Sequence, residues 1–361
     1  MNRTKTISVH FDKTEKLLVQ QWQWTTVLLL LSLLSILFPK QSQSQDLHFS
    51  QFFNSPLSTN PANTGFIPDA DYRIGAHYRN QFSNIMAIPY KTFSVFGDAQ
   101  VMRNKIENGW LGLGGMILSD VAGTGSLRST KIYGSIAYHQ MLGNSSLLSA
   151  GFNLGWANKR IDPSVLKFPD QFDGRFFDNK LPTEVVLSNT SVSYFDMQAG
   201  LNYAYFPTED IYINAGYSIH HVNKPKETFF DDNNGNGIIP MRHIGFVNAI
   251  LKVNPSVIIS PNIFYTNQAG ASELVGGLLM NYNLGEYGDK QLIGGVYYRY
   301  KDAFIPMLGF QVHNVKFTFS YDVTASPLKN FNNSRGASEF NVMKNGFYKE
   351  NTDRQSLCPT F

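Results

Sequence analysis

Residues 315–323 read Val-Lys-Phe-Thr-Phe-Ser-Tyr-Asp-Val, and apolar and polar side chains alternate along this stretch with a period of two. Successive side chains of a β-strand point to opposite faces, so one face would be apolar and the other polar. A tilted strand of about nine residues is long enough to cross a bilayer. Segments 195–205 and 211–219 alternate in the same way, and helical spacing fails in all three. The pattern is typical of transmembrane β-barrel strands.

Weaker alternation of the same kind continues along the chain after residue 70. It predicts about fourteen strands, an even number as in single-chain outer-membrane barrels. Their approximate ranges are 72–79, 91–101, 109–119, 127–139, 147–158, 192–205, 210–222, 242–253, 256–266, 272–283, 290–300, 304–312, 314–324 and 337–348. We therefore predict an all-β fold, a transmembrane antiparallel outer-membrane β-barrel.

The lengths of the predicted connections support this fold. The long connections, 159–191, 223–241 and 325–336, all follow odd-numbered strands, whereas tight turns follow even-numbered ones. Outer-membrane barrels have long loops on one side and short turns on the other. A soluble β-sandwich or barrel would also alternate with period two. An aromatic content of 14% with only 16% charged residues favours contact with lipid.

Residues 1–44 have the features of a signal peptide. Basic residues precede an apolar run at 27–38, which is too short to span a bilayer as a helix. The small residues Ser42 and Ser44 offer a cleavage site before Gln45. We expect the segment to be removed, and an uncleaved anchor is the alternative.

Residues 45–70 lie between this leader and the first predicted strand, and we call them the strap. Pro56 and Pro61 fix φ and lack an amide donor, and Gly65 permits a turn. The strap should therefore be ordered without joining the sheet. We expect three parts, namely the leader at 1–44, the strap or plug at 45–70, and the barrel with a C-terminal tail at 71–361.

Charge and cysteine content exclude several classes of protein. Five of the 30 Lys and Arg residues and two of the 27 Asp and Glu residues precede Gln45, which leaves 25 of each sign. A neutral chain with no basic tract gives no reason to expect nucleic acid. A single cysteine, Cys358, excludes an internal disulfide framework. Because no nucleophile elbow, phosphate loop or cysteine-based zinc pattern occurs, we expect neither catalysis nor a cofactor.

One predicted long loop carries the best candidates for a metal site. His220, His221 and His243 flank it and could gather around a metal, but surface or girdle histidines are the favoured interpretation. Within the loop, residues 232–237 resemble the opening of a calcium loop, yet His243 stands where a bidentate Glu is needed. We therefore expect no metal.

Two further sets of residues are site candidates. The connection 159–191 interleaves aromatic and charged residues, so it could bind a partner at the barrel mouth or fold over the mouth as a lid. Its candidates are Phe168, Phe172, Arg175, Phe176 and Phe177. The polar strand faces would line the lumen, where the candidates are Arg73, Arg79, Asp98, Asp196, Gln198 and Asp322.

The strap contains the pattern Phe-Ser-Gln followed by Asn-Pro-Ala and a glycine, formed by Phe49, Ser50, Gln51, Asn60, Pro61, Ala62 and Gly65. This pattern resembles the start of mature proteins in the PorP/SprF family of type IX secretion system membrane proteins. The sequence departs from the family pattern at 54–57, where Ser55 splits the usual Asn-Pro pair. Near the other end, Tyr321-Asp322 and the closing segment 358–361 are similar to family members.

The resemblance implies an outer-membrane component of the secretion and gliding machinery of Bacteroidota, which exports or anchors proteins at the cell surface. Implied partners are a secreted, adhesin-like surface protein with a C-terminal sorting domain, other type IX secretion subunits and outer-membrane lipid. The strap would pack in or under the lumen as a plug. The alternative is a porin or fatty-acid-type transporter, in which the polar lumen residues line a solute path.

Overall fold

The computed structural model places fourteen antiparallel strands in one closed barrel. It describes residues 46–348 except positions 69, 84, 87, 104, 124–126, 167, 179–180, 186, 188, 231–236 and 286–289. The strands are β1 (Tyr72–Gln81), β2 (Tyr90–Val101), β3 (Gly109–Ala122), β4 (Leu127–Met141), β5 (Ser146–Arg160), β6 (Ser191–Thr208), β7 (Ile211–His220), β8 (Arg242–Asn254), β9 (Val257–Gln268), β10 (Ala271–Asn283), β11 (Lys290–Arg299), β12 (Ala303–Val312), β13 (Val315–Thr324) and β14 (Arg335–Gly346). The predicted fold is confirmed, and each predicted strand is found close to its expected range.

Each strand pairs with its neighbours in sequence, and β14 closes the barrel on β1. This seam is a continuous ladder from Tyr72 opposite Gly346 to Gln81 opposite Ala337. Two short helices lie outside the sheet, α1 (Pro56–Thr59) and α2 (Lys329–Asn332). Single 3₁₀ turns occur at Phe52–Asn54, Pro61–Asn63, Pro163–Val165 and Pro169–Gln171. No helix in the described ranges is long and apolar enough to cross a membrane.

The side chains of the barrel wall are distributed in the opposite way from those of a soluble protein. In β13, Phe317 and Phe319 are exposed on the outside, whereas Ser320 and Asp322 are buried inside. The same alternation is visible in β5, where Phe152 and Trp156 face outward and Asn153 is buried. Apolar side chains outside and polar ones inside characterise a barrel wall that faces lipid.

The connections divide into two classes at the two ends of the barrel. The long ones, 161–190, 221–241 and 325–334, follow β5, β7 and β13, and all six connections after even-numbered strands span seven residues or fewer. The predicted segregation of loop lengths is therefore confirmed. We call the two ends the long-loop end and the turn end.

Candidate functional site

The strap runs along the inside of the barrel from one end to the other. Near its start, the backbone N–H of Asp46 donates to Oε1 of Gln268 at 2.8 Å, and Gln268 is the last residue of β9 at the long-loop end. At its end, the N–H of Asp71 donates to the carbonyl of Gly346 at the turn end, also at 2.8 Å. Most strap residues between these points are buried. The strap is ordered and joins no strand, as its prolines predict.

Two short turns and α1 give the strap its shape. Asn60 adopts an extended backbone before Pro61, and its Oδ1 accepts the N–H of Ala62 at 2.9 Å, which caps the 3₁₀ turn at Pro61–Asn63. Pro56 is the first residue of α1, a position at which its missing N–H has no cost. Contacts between neighbouring residues of the strap therefore favour its conformation before it packs against the barrel wall.

A group of buried charges holds the strap near the long-loop end. The N–H groups of Ser50 and Gln51 donate to the two carboxylate oxygens of Glu339, at 2.7 and 3.0 Å. The hydroxyl of Ser50 contacts Asp322 at 2.9 Å. Arg79 pairs with both Glu339 and Asp322, and Arg299 pairs with Asp322 at 3.1 Å. Two guanidinium groups and two carboxylates thus balance in charge around one strap serine.

We call Arg79, Arg299, Asp322 and Glu339 the charge cluster. Its members come from β1, β11, β13 and β14, so the strap contacts both strands of the seam that closes the barrel. Each member is at most 4% exposed. Such a cluster is stable only when every charge has a partner, and the strap provides hydrogen bonds to two of its carboxylates.

A second pair of anchors lies nearer the start of the strap. The carboxylate of Asp46 contacts Nζ of Lys131 at 2.5 Å and Nε2 of His221 at 3.3 Å. His48 contacts the carboxylate of Glu273 at 3.0 Å. The first residues of the strap are therefore held at the long-loop end by ion pairs as well as by hydrogen bonds.

Four glycines on the inner wall make room for the middle of the strap, and we call them the glycine row. A Cβ added to Gly112 would lie 1.9 Å from the carbonyl oxygen of Thr64, and one added to Gly200 would lie 1.9 Å from Oδ1 of Asn60. The same close approach occurs between Gly151 and Pro61, at 2.5 Å. The full row is Gly112, Gly151, Gly200 and Gly216, from β3, β5, β6 and β7. A side chain at these positions would collide with the strap.

Apolar and aromatic contacts complete the packing of the strap. Phe52 stacks on Phe264 with ring centroids 4.8 Å apart, and the ring of Phe49 stacks on His77 at 4.0 Å. Leu57 is fully buried in a cluster formed by the strap and the inner wall. Burial of a leucine side chain contributes about 1.5–3 kcal/mol, so α1 is held by more than its hydrogen bonds.

Hydrogen bonds to the strap backbone continue to the turn end. Nε2 of His139 lies 2.8 Å from the carbonyl of Thr64, and Nε1 of Trp110 donates to the carbonyl of Gly65 at 2.9 Å. The N–H of Gly65 donates to the carboxylate of Asp98 at 2.8 Å. Gly65 has φ of +67°, a left-handed conformation that glycine adopts without strain.

All six residues predicted for the lumen face the inside of the barrel. Asp98 and Asp322 bind the strap directly, and Arg73 binds Asp98 at 2.7 Å. Asp196 accepts from His221 and Tyr133, and Gln198 accepts from Asn153. These groups bind the strap, one another or other buried residues of the barrel. Their placement at the lumen agrees with the sequence, and a role in a solute path stays a prediction.

All seven strap residues that carry the family resemblance are buried. Phe49, Ser50 and Gln51 lie at the charge cluster, and Asn60, Pro61 and Ala62 lie at the glycine row. The Ser55 that interrupts the family pattern bonds to Ser58 at 2.7 Å and leaves Leu57 in the apolar cluster. The residue that differs from the family pattern therefore bonds within the strap and not to the barrel wall.

The histidines near the loop after β7 do not gather. His220 and His221 are buried inside the barrel, so the favoured interpretation as surface or girdle histidines is wrong for both. His243 lies on the other face of the wall, where its Nδ1 contacts the hydroxyl of Tyr217 at 2.7 Å. In the part of the chain that the structure describes, no group of His, Cys, Asp and Glu could hold a metal. Residues 232–236 of the calcium-like stretch lie outside the described residues.

The loop after β5 exposes three of its aromatic rings and several charged side chains, and Gln171 is a buried polar residue of this loop. Phe176 is 74% exposed, and the rings of Phe172 and Phe177 are exposed and 5.5 Å apart. Gln171 is buried and bonds to the carbonyl of Leu181 and the N–H of Phe168. Oδ1 of Asp173 accepts from the N–H of Arg175 and Phe176 at 2.7 and 2.6 Å. We call residues 171–178 the loop tip.

Hydrogen bonds lower the pKa of two aspartates in this loop, Asp170 and Asp173. Hydrogen bonds from the backbone N–H groups of Phe176 and Arg175 hold the pKa of Asp173 below its ordinary value. The N–H of Glu184 and the hydroxyl of Thr183 lower the pKa of Asp170 in the same way. Hydrogen bonds to a carboxylate favour its charged form.

The sequence matches the family model described as type IX secretion system membrane protein PorP/SprF over residues 41–343. The chain belongs to the PorP/SprF family. The matched segment includes the whole strap and all strands of this PorP/SprF barrel up to most of β14. A comparison with curated proteins found no match.

Solved structures similar to this PorP/SprF barrel are channels and transporters. The toluene transporter TodX of P. putida is 12% identical, with a TM-score of 0.50, over 82% of this chain and 94% of that chain. A TodX deltaS2S3 mutant, described as a monoaromatic hydrocarbon channel, is 11% identical with a TM-score of 0.51, over 81% and 94%. A Pseudomonas aeruginosa FadL homologue is 8% identical with a TM-score of 0.47, over 80% and 94%. At such low identity the likeness concerns the fold alone. The family and the fold are those of a secretion or channel membrane protein.

Proposed function

We propose that this chain is a non-catalytic outer-membrane component of the type IX secretion and gliding machinery, which exports or anchors partner proteins at the cell surface. Its partners would be a secreted, adhesin-like protein with a C-terminal sorting domain and other secretion subunits. The strap would act as a plug, and outer-membrane lipid would surround the wall. The observation that carries the proposal is the family match over residues 41–343, and the contacts of the strap with both ends of the barrel support the role as a plug.

The polar groups of the lumen support a scaffold over a channel for small solutes. A solute path needs polar groups that can exchange partners with the passing solute. In this barrel, Asp98, Asp322 and Glu339 bond to the strap, and the strap lies directly against the wall backbone at the glycine row, which leaves no space between them. Transport would require the strap to leave these contacts.

The loop tip is the surface that we propose for the secreted partner. Aromatic residues, including phenylalanine, and arginine are enriched at protein interfaces relative to the rest of the surface. Phe172, Arg175, Phe176 and Phe177 are all exposed, and the hydrogen bonds of Gln171 and Asp173 hold the tip in one shape before binding. Such preorganisation lowers the entropy cost of association.

The test is deletion of the protein in its host, followed by proteomic comparison of the cell-surface and medium fractions. Loss or shedding of one or a few large surface proteins, with other exported proteins unchanged, is the expected result. Complementation with the triple variant Phe172→Ser, Phe176→Ser, Phe177→Ser should fail. Val165→Ser, in the same loop outside the tip and 42% exposed, is the matched control and should complement.

Two outcomes would contradict the proposal at different levels. An unchanged surface proteome together with altered solute uptake would leave the transporter as the function. Normal complementation by the triple variant at wild-type abundance would remove the loop tip from partner binding and leave the secretion role. Conductance of the purified barrel in a planar bilayer gives an independent measure, because a stable open pore would show that the strap does not close the lumen.

A further inference from the structure

An apolar groove runs across the outside of the barrel over the seam. Ala76 on β1 lies directly opposite Val342 on β14, and both point outward. One row nearer the long-loop end, Tyr78 lies opposite Phe340, so two small side chains are bordered by two large aromatic ones. The groove encloses about 630 Å³, which is in the range of small-molecule sites, about 300–1,000 Å³.

Two aromatic pairs, one stacked and one tilted, form the side of the groove on the neighbouring strands. Phe310 on β12 and Phe317 on β13 stack with ring centroids 5.1 Å apart. Phe319 and Phe340 lie 4.8 Å apart in the adjacent row. Rigid rings therefore set the width of the groove, and Ala76 and Val342 form its floor. A flexible hydrocarbon chain fits such a groove, whereas a flat protein surface would not fill it.

Two lysines lie in the next row of the wall beyond the groove, toward the turn end. Lys344 follows Val342 by two residues on β14, so it lies on the same outer face and nearer the turn end. Lys290 begins β11, and the ladder places it in one row with Val312, Val315 and Lys344. Both lysines are exposed. Three strand spacings separate them, which is about 14 Å, so both ammonium groups can approach one anionic group from opposite sides.

We propose that this groove binds an acyl chain of an anionic phospholipid, with Lys344 and Lys290 contacting the phosphate of its head group. The inference rests on the proposed membrane location, and its test does not depend on secretion. The wall faces lipid, so hydrocarbon is the solvent of the groove. The two cations at its rim select a negative head group in the leaflet at the turn end.

The experiment measures lipid retained by the purified full-length barrel in detergent, by native mass spectrometry after exposure to phosphatidylglycerol or phosphatidylcholine. The wild type should retain one phosphatidylglycerol in preference to phosphatidylcholine. Each of Lys344→Gln and Lys290→Gln should lower that preference about five-fold, since each basic residue near a charged lipid contributes about that factor. Ala76→Phe, which fills the floor, should lower retention of both lipids.

Matched controls separate this site from general attraction of lysines to lipid. Lys91 is exposed at the start of β2, on the same side of the barrel but at the long-loop end, and Lys91→Gln should change nothing. Gly134→Phe adds a ring on the outside of β4, where the nearest atom to a new Cβ is 4.0 Å away, and should also have no effect. Equal retention of the two lipids, or an equal loss in Lys91→Gln, would overturn the proposal. A wild-type dimer that Ala76→Phe makes monomeric would overturn it too, because a second copy would then be the occupant.

Discussion

Glu339→Gln is the substitution that most directly tests whether the charge cluster holds the strap. The glutamine has the same shape, but it replaces one carboxylate oxygen by an NH₂ group. Glu339 receives the N–H groups of Ser50 and Gln51, and it also pairs with His77 and Arg79. In the variant, the NH₂ group of the glutamine would face one of these donors, so that donor would lose its acceptor. Arg79 would keep Asp322 as its remaining carboxylate.

The expected loss follows from the bonds that the strap makes to this carboxylate. Arg79 and Glu339 both belong to the wall, so their ion pair is present in the docked and in the open state, and the strap loses only its bonds to the carboxylate. A hydrogen bond to a charged group contributes about 1.5–3 kcal/mol, and the glutamine can still accept one of the two N–H groups, so we expect a loss of about 2 kcal/mol. That free energy corresponds to an increase of about 30-fold in the equilibrium constant for opening of the strap.

Hydrogen exchange of the purified barrel in detergent measures this opening. The informative amides are those of Thr59 and Asn60, which bond to carbonyls within the strap and not to the altered side chain. Glu209→Gln, in the exposed turn after β6, is the control. The reasoning is refuted if these two amides exchange as slowly in Glu339→Gln as in Glu209→Gln while the strands of both variants remain protected.

Three further predictions concern the packing of the strap and the loop tip. Leu57→Ala should lower the free energy of strap opening by about 2–5 kcal/mol, the usual cost of a buried cavity. Leu292→Ala, on the outside of the barrel, should leave that free energy unchanged, and hydrogen exchange of the strap amides distinguishes the two variants. Gly112→Ala should displace the strap because its Cβ would lie 1.9 Å from a strap carbonyl, and Gly134→Ala, with 4.0 Å of space, should not; increased protease cleavage within the strap is the measurement. Asp173 has a lowered pKa, so its contribution to loop-tip order is complete above about pH 4 and is lost as the pH falls through the lowered pKa. Amide exchange of the loop tip, corrected for the intrinsic exchange rate at each pH, measures this loss. Equal protection of the tip in Asp173→Ala and the wild type at neutral pH would contradict the prediction.

The sequence was sufficient to predict the strands and the direction of most of their side chains. Alternation is a local property, because one face of each strand points out of the barrel and the other points into it. Phe317, Thr318 and Phe319 could therefore be assigned to faces without any partner. The strap could be separated from the sheet because proline cannot donate to a ladder.

The contacts of the strap could not be predicted, because they join residues far apart in the chain. Ser50 and Glu339 are 289 positions apart, and no local pattern relates them. Glu339, Arg299 and His139 were therefore missed, although each is a polar residue at an inward position of a strand. Glycine in a strand predicts curvature and close approach alike, so the role of Gly112 and Gly200 was visible only with the strap beside them.

The buried positions of His220 and His221 had a different physical cause. Alternation places His220 inside, and it would place the next residue outside. His221 follows the end of β7 with φ of +57°, so the backbone turns and both imidazoles face inward. A change of backbone direction at a strand end cannot be deduced from periodicity.

The contact of the strap with both strands of the seam also constrains the order of folding. Ser50 and Gln51 meet Arg79 on β1 and Glu339 on β14, and these two strands become neighbours only when the last strand has paired with the first. Pairing of such distant segments is the slow step in folding of β topologies. Ser50 and Gln51 of the strap therefore reach Glu339 only after the last strand has paired with the first, whereas the glycine row and Lys131 contact other parts of the strap without β14. Docking of these two residues thus reports completion of the barrel, and a chain truncated before β14 would leave their N–H groups without Glu339.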